Sequence, residues 1–231
     1  MYRSDVQAQG TRVLLVAEGS GGHLIPALEV ARALRTASTM VWVLSVQRHQ
    51  TAGLMQDLIR DACAEGVQFI PLLLPSSRPG FLRFLWRYWQ SGAIWRLAHA
   101  AIAAARPQVV VGFGGWVSVP VIVAARQRRI PVLIHEQNVR LGRANRFLLK
   151  WADQIALSFP ARPEYCGAGG EATQAQLNGT PRAITGLPIR QAIGRVCRDE
   201  AARQLGFEAH RPTALILGGS QGAESLNRAV L

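Results

Sequence analysis

Residues 19–23, Gly-Ser-Gly-Gly-His, follow the aliphatic run Val13 to Val16 and precede Leu24, Leu28, Ala31 and Leu34, which lie close to one helical face. A buried strand, a glycine turn and a helix start in succession make an anion site, because free N–H groups and the helix dipole point at the turn. Gly19, Gly21 and Gly22 allow backbone angles and close approaches that side chains block. The spacing is neither the dinucleotide G-x-G-x-x-G nor the Walker pattern. His23, at the helix start, is placed to reach a substrate over the loop; capping the helix is the simpler alternative. A second polar set, His135-Glu136-Gln137-Asn138, closes the aliphatic run Val132-Leu133-Ile134. Glu136 there is either a catalytic carboxylate or a holder of neighbouring N–H groups. Further glycine turns at Gly112–Gly115 and Gly218–Gly222 each end an aliphatic run.

These segments need a scaffold that brings strand ends together. Strands are expected at 13–16, 41–46, 67–70, 107–112, 131–134 and 154–158. Helices are expected after the first turn, over 51–64, 94–105, 121–128 and 144–151. That alternation predicts an α/β fold with a parallel sheet covered on both faces, whose ligands bind at the carboxyl ends of the strands. Residues 161–180 read as a surface excursion, and 185–190 as a crossing between domains. A short helix over 198–205 and a strand over 212–217 follow. The expected division is an N-terminal domain over 1–187, a linker and short helix over 188–210, and the start of a second domain over 211–231.

The chain has 231 residues, a formal net charge of +12 and one lysine, Lys150. Such a charge favours phosphates, nucleotides or anionic membranes. A nucleic-acid partner is disfavoured because no recognised motif or stacking platform occurs. Three cysteines without metal or disulfide spacing fit a reducing compartment. No signal peptide and no apolar run of membrane-spanning length is read. In Phe81-Leu82-Arg83-Phe84-Leu85-Trp86-Arg87-Tyr88-Trp89, helical phasing continued back from 94–105 would turn Arg83 and Arg87 toward the core. A helix break at Ser91-Gly92 or an exposed aromatic face resolves this. Phe81, Arg83, Leu85, Arg87 and Trp89 are therefore expected to contact an anionic membrane surface.

Gly19-Ser20-Gly21-Gly22-His23, Gly114-Gly115-Trp116-Val117-Ser118, His135-Glu136-Gln137-Asn138, Gly186-Leu187-Pro188-Ile189-Arg190 and Gly218-Gly219-Ser220-Gln221-Gly222-Ala223 occur in that order. Together they resemble the MurG family of glycosyltransferases over about residues 12–231. The resemblance implies a GT-B fold, two Rossmann-like domains across a cleft, with this chain the first domain and the truncated start of the second, inactive alone. The implied reaction is inverting, metal-independent transfer of N-acetylglucosamine from UDP-N-acetylglucosamine to the muramyl hydroxyl of undecaprenyl-diphosphate-linked muramyl-pentapeptide, in peptidoglycan synthesis. No Asp-x-Asp pair occurs, and no cofactor is implied.

By position, His23 and Glu136 would be catalytic, with Glu136 shaping the site. Ser20, Gly21 and Gly22 would approach the donor and the acceptor diphosphate. Asn138 would bind the donor sugar, Arg190 the donor, Ser220 its diphosphate, and Gly115 and Trp116 the acceptor side. The implied location is peripheral, at the cytoplasmic face of the bacterial inner membrane. Glu18, Ser20, Trp116 and Leu187 depart from the family's usual Gly, Thr, Tyr and Asn. Two alternatives remain open: a GT-B enzyme with another lipid acceptor, and a non-catalytic binding module for sugar nucleotides or phospholipids.

Overall fold

The computed structural model describes residues 10–35, 39–47, 53–73, 92–160, 177, 179–208, 211–218 and 223–230. The membrane-contact residues Phe81, Arg83, Leu85, Arg87 and Trp89, and Ser220 of the last glycine turn, lie outside them. Two compact units are present, Met1–Pro188 and Ile189–Leu231.

The first unit alternates strand and helix: β1 (Thr11–Ala17), α1 (Gly21–Leu34), β2 (Thr39–Gln47), α2 (Leu54–Ala64), β3 (Gln68–Leu73), α3 (Ala93–Ala105), β4 (Val109–Gly112), α4 (Ser118–Gln127), β5 (Val132–Glu136), α5 (Arg143–Leu148), a 3-10 turn (Leu149–Trp151), β6 (Gln154–Leu157) and β7 (Arg182–Ile184). The strands form one sheet in the order β3-β2-β1-β4-β5-β6-β7, with every pairing parallel. Chain direction across the sheet reverses between β1 and β4. That switch point opens a crevice at the carboxyl ends of these two strands.

The core explains why β1 is aliphatic from Val13 to Ala17. Successive side chains of a strand point to opposite faces. Val13, Leu15 and Ala17 join Leu24, Leu28, Met55 and Leu58 in one cluster. Leu14 and Val16 join Ala98, Ile102, Val121 and Ile122 in another. Helices thus seal both faces, and the five buried positions Val13 to Ala17 must be apolar.

Several elements differ from expectation. Helix α4 begins at Ser118, three residues before the expected Val121. Its buried run from Ser118 through Ile122 includes Pro120, which costs no intrahelical bond in a first turn. Helix α3 starts after Gly92, whose φ of 69° is left-handed. Helical spacing puts Ile94, Leu97, Ala98, Ala101, Ile102 and Ala105 on one core-facing stripe; all are buried except Leu97, which is exposed. Strand β7 falls between the expected excursion at 161–180 and the expected crossing at 185–190, where no element is expected. Its three residues are all exposed, so no alternation marks it, and pairing with β6 alone makes it a strand.

In the second unit α6 (Arg198–Gln204) and α7 (Glu224–Val230) bury no residue. Residues 212–218 are not a strand. A parallel strand needs a neighbour for its ladder, and no other strand is described in this unit. Leu215 and Leu217 are more than two-thirds exposed.

Candidate active site

The turns after β1, β4 and β5 meet at the switch point. A ladder of hydrogen bonds ties their floor together: Phe113 N donates to the Val16 carbonyl at 2.8 Å, and Gln137 Nε2 donates to the Phe113 carbonyl at 2.9 Å. Above this floor is a cleft of about 280 Å³ lined by His23, Gly114 to Trp116, Glu136, Asn138 and Gly142 to Asn145.

Ser20 precedes α1 but its side chain makes no cap bond. Its hydroxyl instead meets His23 Nδ1 at 2.7 Å, and its carbonyl accepts from His23 N and Leu24 N at 3.1 and 2.9 Å. One turn of backbone therefore holds both the helix start and the imidazole. Gly21 and Gly22 are not left-handed, and a Cβ on either would meet no crowding atom. Contrary to expectation, the chain's own geometry does not require glycine at these two positions; what their bareness leaves is space above the helix start. The second turn is the strained one. Gly114 and Gly115 have φ of 84° and 79°. A Cβ on Gly114 would stand 3.1 Å from the His23 ring, and one on Gly115 would overlap the Glu18 side chain. Ser118 Oγ donates to the Gly114 carbonyl at 2.6 Å and fastens this turn. The two turns are packed against each other through His23 and Glu18.

Glu136 is 2% exposed. Its Oε1 accepts from Asn138 N and Asn138 Nδ2, both at 3.0 Å. Its Oε2 accepts from Gly142 N at 2.9 Å and Asn145 Nδ2 at 2.8 Å. Four N–H donors compensate the buried carboxylate without a cation. Such a group holds the β5–α5 loop in shape, the alternative to a catalytic carboxylate offered by the sequence. Asn138 is exposed and lines the cleft. Trp116 is 41% exposed and lies 6.2 Å from Phe147, which lies 4.9 Å from Trp151. Lys150 Nζ sits 4.6 and 4.1 Å from the centroids of those last two rings. Arg190, exposed, belongs to the second unit.

Two cleft residues, Asn145 and Arg143, are not among those the sequence singles out. Asn145 is buried beside Ala144 and Leu148 on α5, and a polar residue inside an apolar stripe was the available signal. Arg143 brings an exposed cation to the cleft, but in an arginine-rich chain nothing distinguished it.

His135 is 3% exposed, stacked 5.3 Å from Phe113, with Nε2 3.4 Å from the Gly186 carbonyl. Burial pushes its pKa below the ordinary value, against smaller opposing effects of the Gly186 carbonyl and the Glu136 charge. The unfolded state then binds the extra proton. This contribution to stability is full above about pH 6.5 and falls as pH drops below it, at up to about 1.4 kcal/mol per pH unit. Urea unfolding at about pH 7.5 and about pH 5.5 should show a smaller loss for His135→Gln than for the unsubstituted chain; equal losses would contradict this.

A family model, the glycosyltransferase family 28 N-terminal domain, matches residues 13–157. A Nocardioides protein named UDP-N-acetylglucosamine--N-acetylmuramyl-(pentapeptide) pyrophosphoryl-undecaprenol N-acetylglucosamine transferase is 37% identical, over 95% of this chain and 56% of its own length. A Thermus thermophilus protein of the same name is 36% identical, over 93% and 57%. The chain thus spans about half the length of these relatives. The crystal structure of Acinetobacter baumannii MurG superposes with a TM-score of 0.59 at 25% identity, over 94% of this chain and 55% of that one. UGT2 of Phytolacca americana, solved with UDP-2-fluoroglucose and pterostilbene, has a TM-score of 0.52 at 15% identity and shares the fold alone. The parallel sheet with its switch-point cleft is the Rossmann-like part of a GT-B glycosyltransferase fold, and the chain belongs to glycosyltransferase family 28.

Proposed function

We propose that this chain supplies the acceptor-binding part of an inverting N-acetylglucosaminyltransferase, a hexosyltransferase of peptidoglycan synthesis. It takes the sugar from UDP-N-acetylglucosamine to the muramyl hydroxyl of undecaprenyl-diphosphate-linked muramyl-pentapeptide. The observation that carries this reading is the Ser20–His23 pair at 2.7 Å, set at a helix start in the switch-point cleft. With Nδ1–H donating to Ser20 Oγ, Nε2 is the free acceptor. It takes the proton of the muramyl hydroxyl as that oxygen bonds to the anomeric carbon from the face opposite the diphosphate. The bond from the anomeric carbon to the diphosphate oxygen breaks, and its electrons leave with UDP. The first-turn N–H groups at Gly21 and Gly22 lack intrahelical acceptors and suit a phosphate, as does Arg143 at the rim.

Glu136 keeps Asn138 and the β5–α5 loop in place for the sugar, and Gly115 and Trp116 line the acceptor side. The donor's uridine and diphosphate fall to a second domain beginning near residue 211, reached through 188–210, with Arg190 and Ser220 directed to the donor. A peripheral position on the cytoplasmic face of the inner membrane is part of the proposal. It is supported by the net charge of +12 and by the partly exposed Trp116, Phe147 and Lys150 beside the cleft. Among the described residues no helix is long and apolar enough to cross a membrane. Glu18, packed against Gly115, favours a second reading with a less anionic acceptor, because a carboxylate beside a phosphate site is unfavourable.

The test is transfer from UDP-N-acetylglucosamine to a short-prenyl muramyl-pentapeptide diphosphate by this chain joined to a complete second domain of the family. Formation of the disaccharide product is expected; release of no UDP from a folded protein would reject the reading.

A further inference from the structure

We propose that Glu136 is a positioning residue that fixes the polarity of Asn138, so that its carbonyl oxygen is left to accept from a ligand donor such as a sugar hydroxyl. The choice of probe rests on the transfer reading above; the clamp itself does not.

A carboxylate only accepts hydrogen bonds, so an asparagine amide can face it only through its NH2. Which end of an amide points where is here dictated by chemistry and needs no arbitrary choice. Oε1 of Glu136 holds Asn138 Nδ2, and Oε2 holds Asn145 Nδ2. The Asn145 NH2 has a second acceptor, the His135 carbonyl at 3.1 Å, which fixes that amide twice over. The carbonyl oxygens of both amides must therefore point away from the carboxylate. Asn145 is 2% exposed, and its Oδ1 is shut away from solvent without a partner among the described residues. Asn138 is exposed and lines the cleft. Of the two amides, a ligand reaches the carbonyl of Asn138. Flipping Asn138 would set Oδ1 against the Glu136 oxygen, at the 3.0 Å where an N–H now stands.

Glu136→Gln breaks this logic in a defined way. Four donors converge on the carboxylate, and a glutamine offers oxygen to only two of them. Its NH2 faces the other pair, and the asparagine on that side must turn to present its own oxygen. If that side is Asn138, the cleft receives an NH2 in place of a carbonyl, and selectivity changes from donor to acceptor groups. Glutamine has the size of glutamate, so lost volume does not confound the comparison.

Two measurements decide the matter. The first is the side-chain amide 1H–15N spectrum of the 231-residue chain. Asn138 and Asn145 should each show one downfield, slowly exchanging proton, and Glu136→Gln should remove this for at least one of them. Unchanged amide signals would overturn the clamp whether or not the protein transfers sugar. The second is binding of UDP-N-acetylglucosamine analogues, each with one sugar hydroxyl replaced by hydrogen or by fluorine, to the chain joined to a complete second domain. Fluorine cannot donate. At one position both replacements should weaken binding about 10-fold, the scale of one neutral hydrogen bond, and Asn138→Ala should abolish that penalty. Fluoro analogues that all bind like the parent, or a penalty undiminished in Asn138→Ala, would overturn the proposal. Failure of the parent compound to bind would reject the transfer reading and leave the amide spectrum to decide the clamp.

Discussion

Replacing His23 with alanine in a chain carrying a complete second domain should lower turnover by about 10²- to 10⁴-fold, the range for removal of a general base. KM for UDP-N-acetylglucosamine should stay within about threefold of its starting value, because an interaction made only in the transition state affects turnover and spares ground-state binding. The split follows from the geometry. His23 is held by Ser20 at 2.7 Å and lines the cleft, while donor recognition is assigned to other segments. Ser20→Ala should reproduce a smaller part of the loss, since it frees the ring without removing it. Steady-state kinetics with varied donor and saturating acceptor would check both. Unchanged turnover in His23→Ala removes the base assignment, and a rise in KM alone makes His23 a binding residue.

The second large effect concerns the arginines of 81–89. Arg83→Glu with Arg87→Glu should weaken co-sedimentation with anionic vesicles by roughly 30-fold or more. Each basic residue near an anionic surface contributes about 1 kcal/mol, so losing two removes about 2 kcal/mol before the repulsion of the new carboxylates is counted. The effect should fade on neutral vesicles and at high salt, where the surface field is screened. Equal binding by the variant and the unsubstituted protein would sink the membrane reading. The aromatic group at Trp116, Phe147 and Trp151 would then be packing alone.

Much of the scaffold was legible because the central strands are buried on both faces. Val13 to Val16 and Val109 to Val111 are continuous aliphatic runs, and such runs ending in glycine turns announce a parallel sheet and its ligand edge together. What stayed hidden depends on partners the local sequence does not name. Strand β7 exists through pairing with β6, and its exposed Arg-Ala-Ile carries no period. The run 212–217 has strand composition but no ladder within its unit. At the site, the motifs placed His23, Gly115, Trp116, Glu136 and Asn138 around one cleft. They did not show which glycines are structurally required, since the left-handed φ of Gly114 and Gly115, and the room their missing Cβ atoms leave for His23 and Glu18, involve another strand's turn. They also could not reveal that Glu136 spends all four hydrogen bonds on its own loop, because two of the donors come from Gly142 and Asn145 across a turn.

If the transfer reading holds, the cleft between the β1, β4 and β5 turns binds the acceptor. The most direct measurement is a titration of the 231-residue chain with a short-prenyl muramyl-pentapeptide diphosphate, followed by 1H–15N spectra. Saturable shifts at His23, Gly114, Gly115 and Trp116, competed by inorganic diphosphate only weakly, are the predicted result. Saturable shifts confined to other residues, or none at any of these four, would contradict the claim.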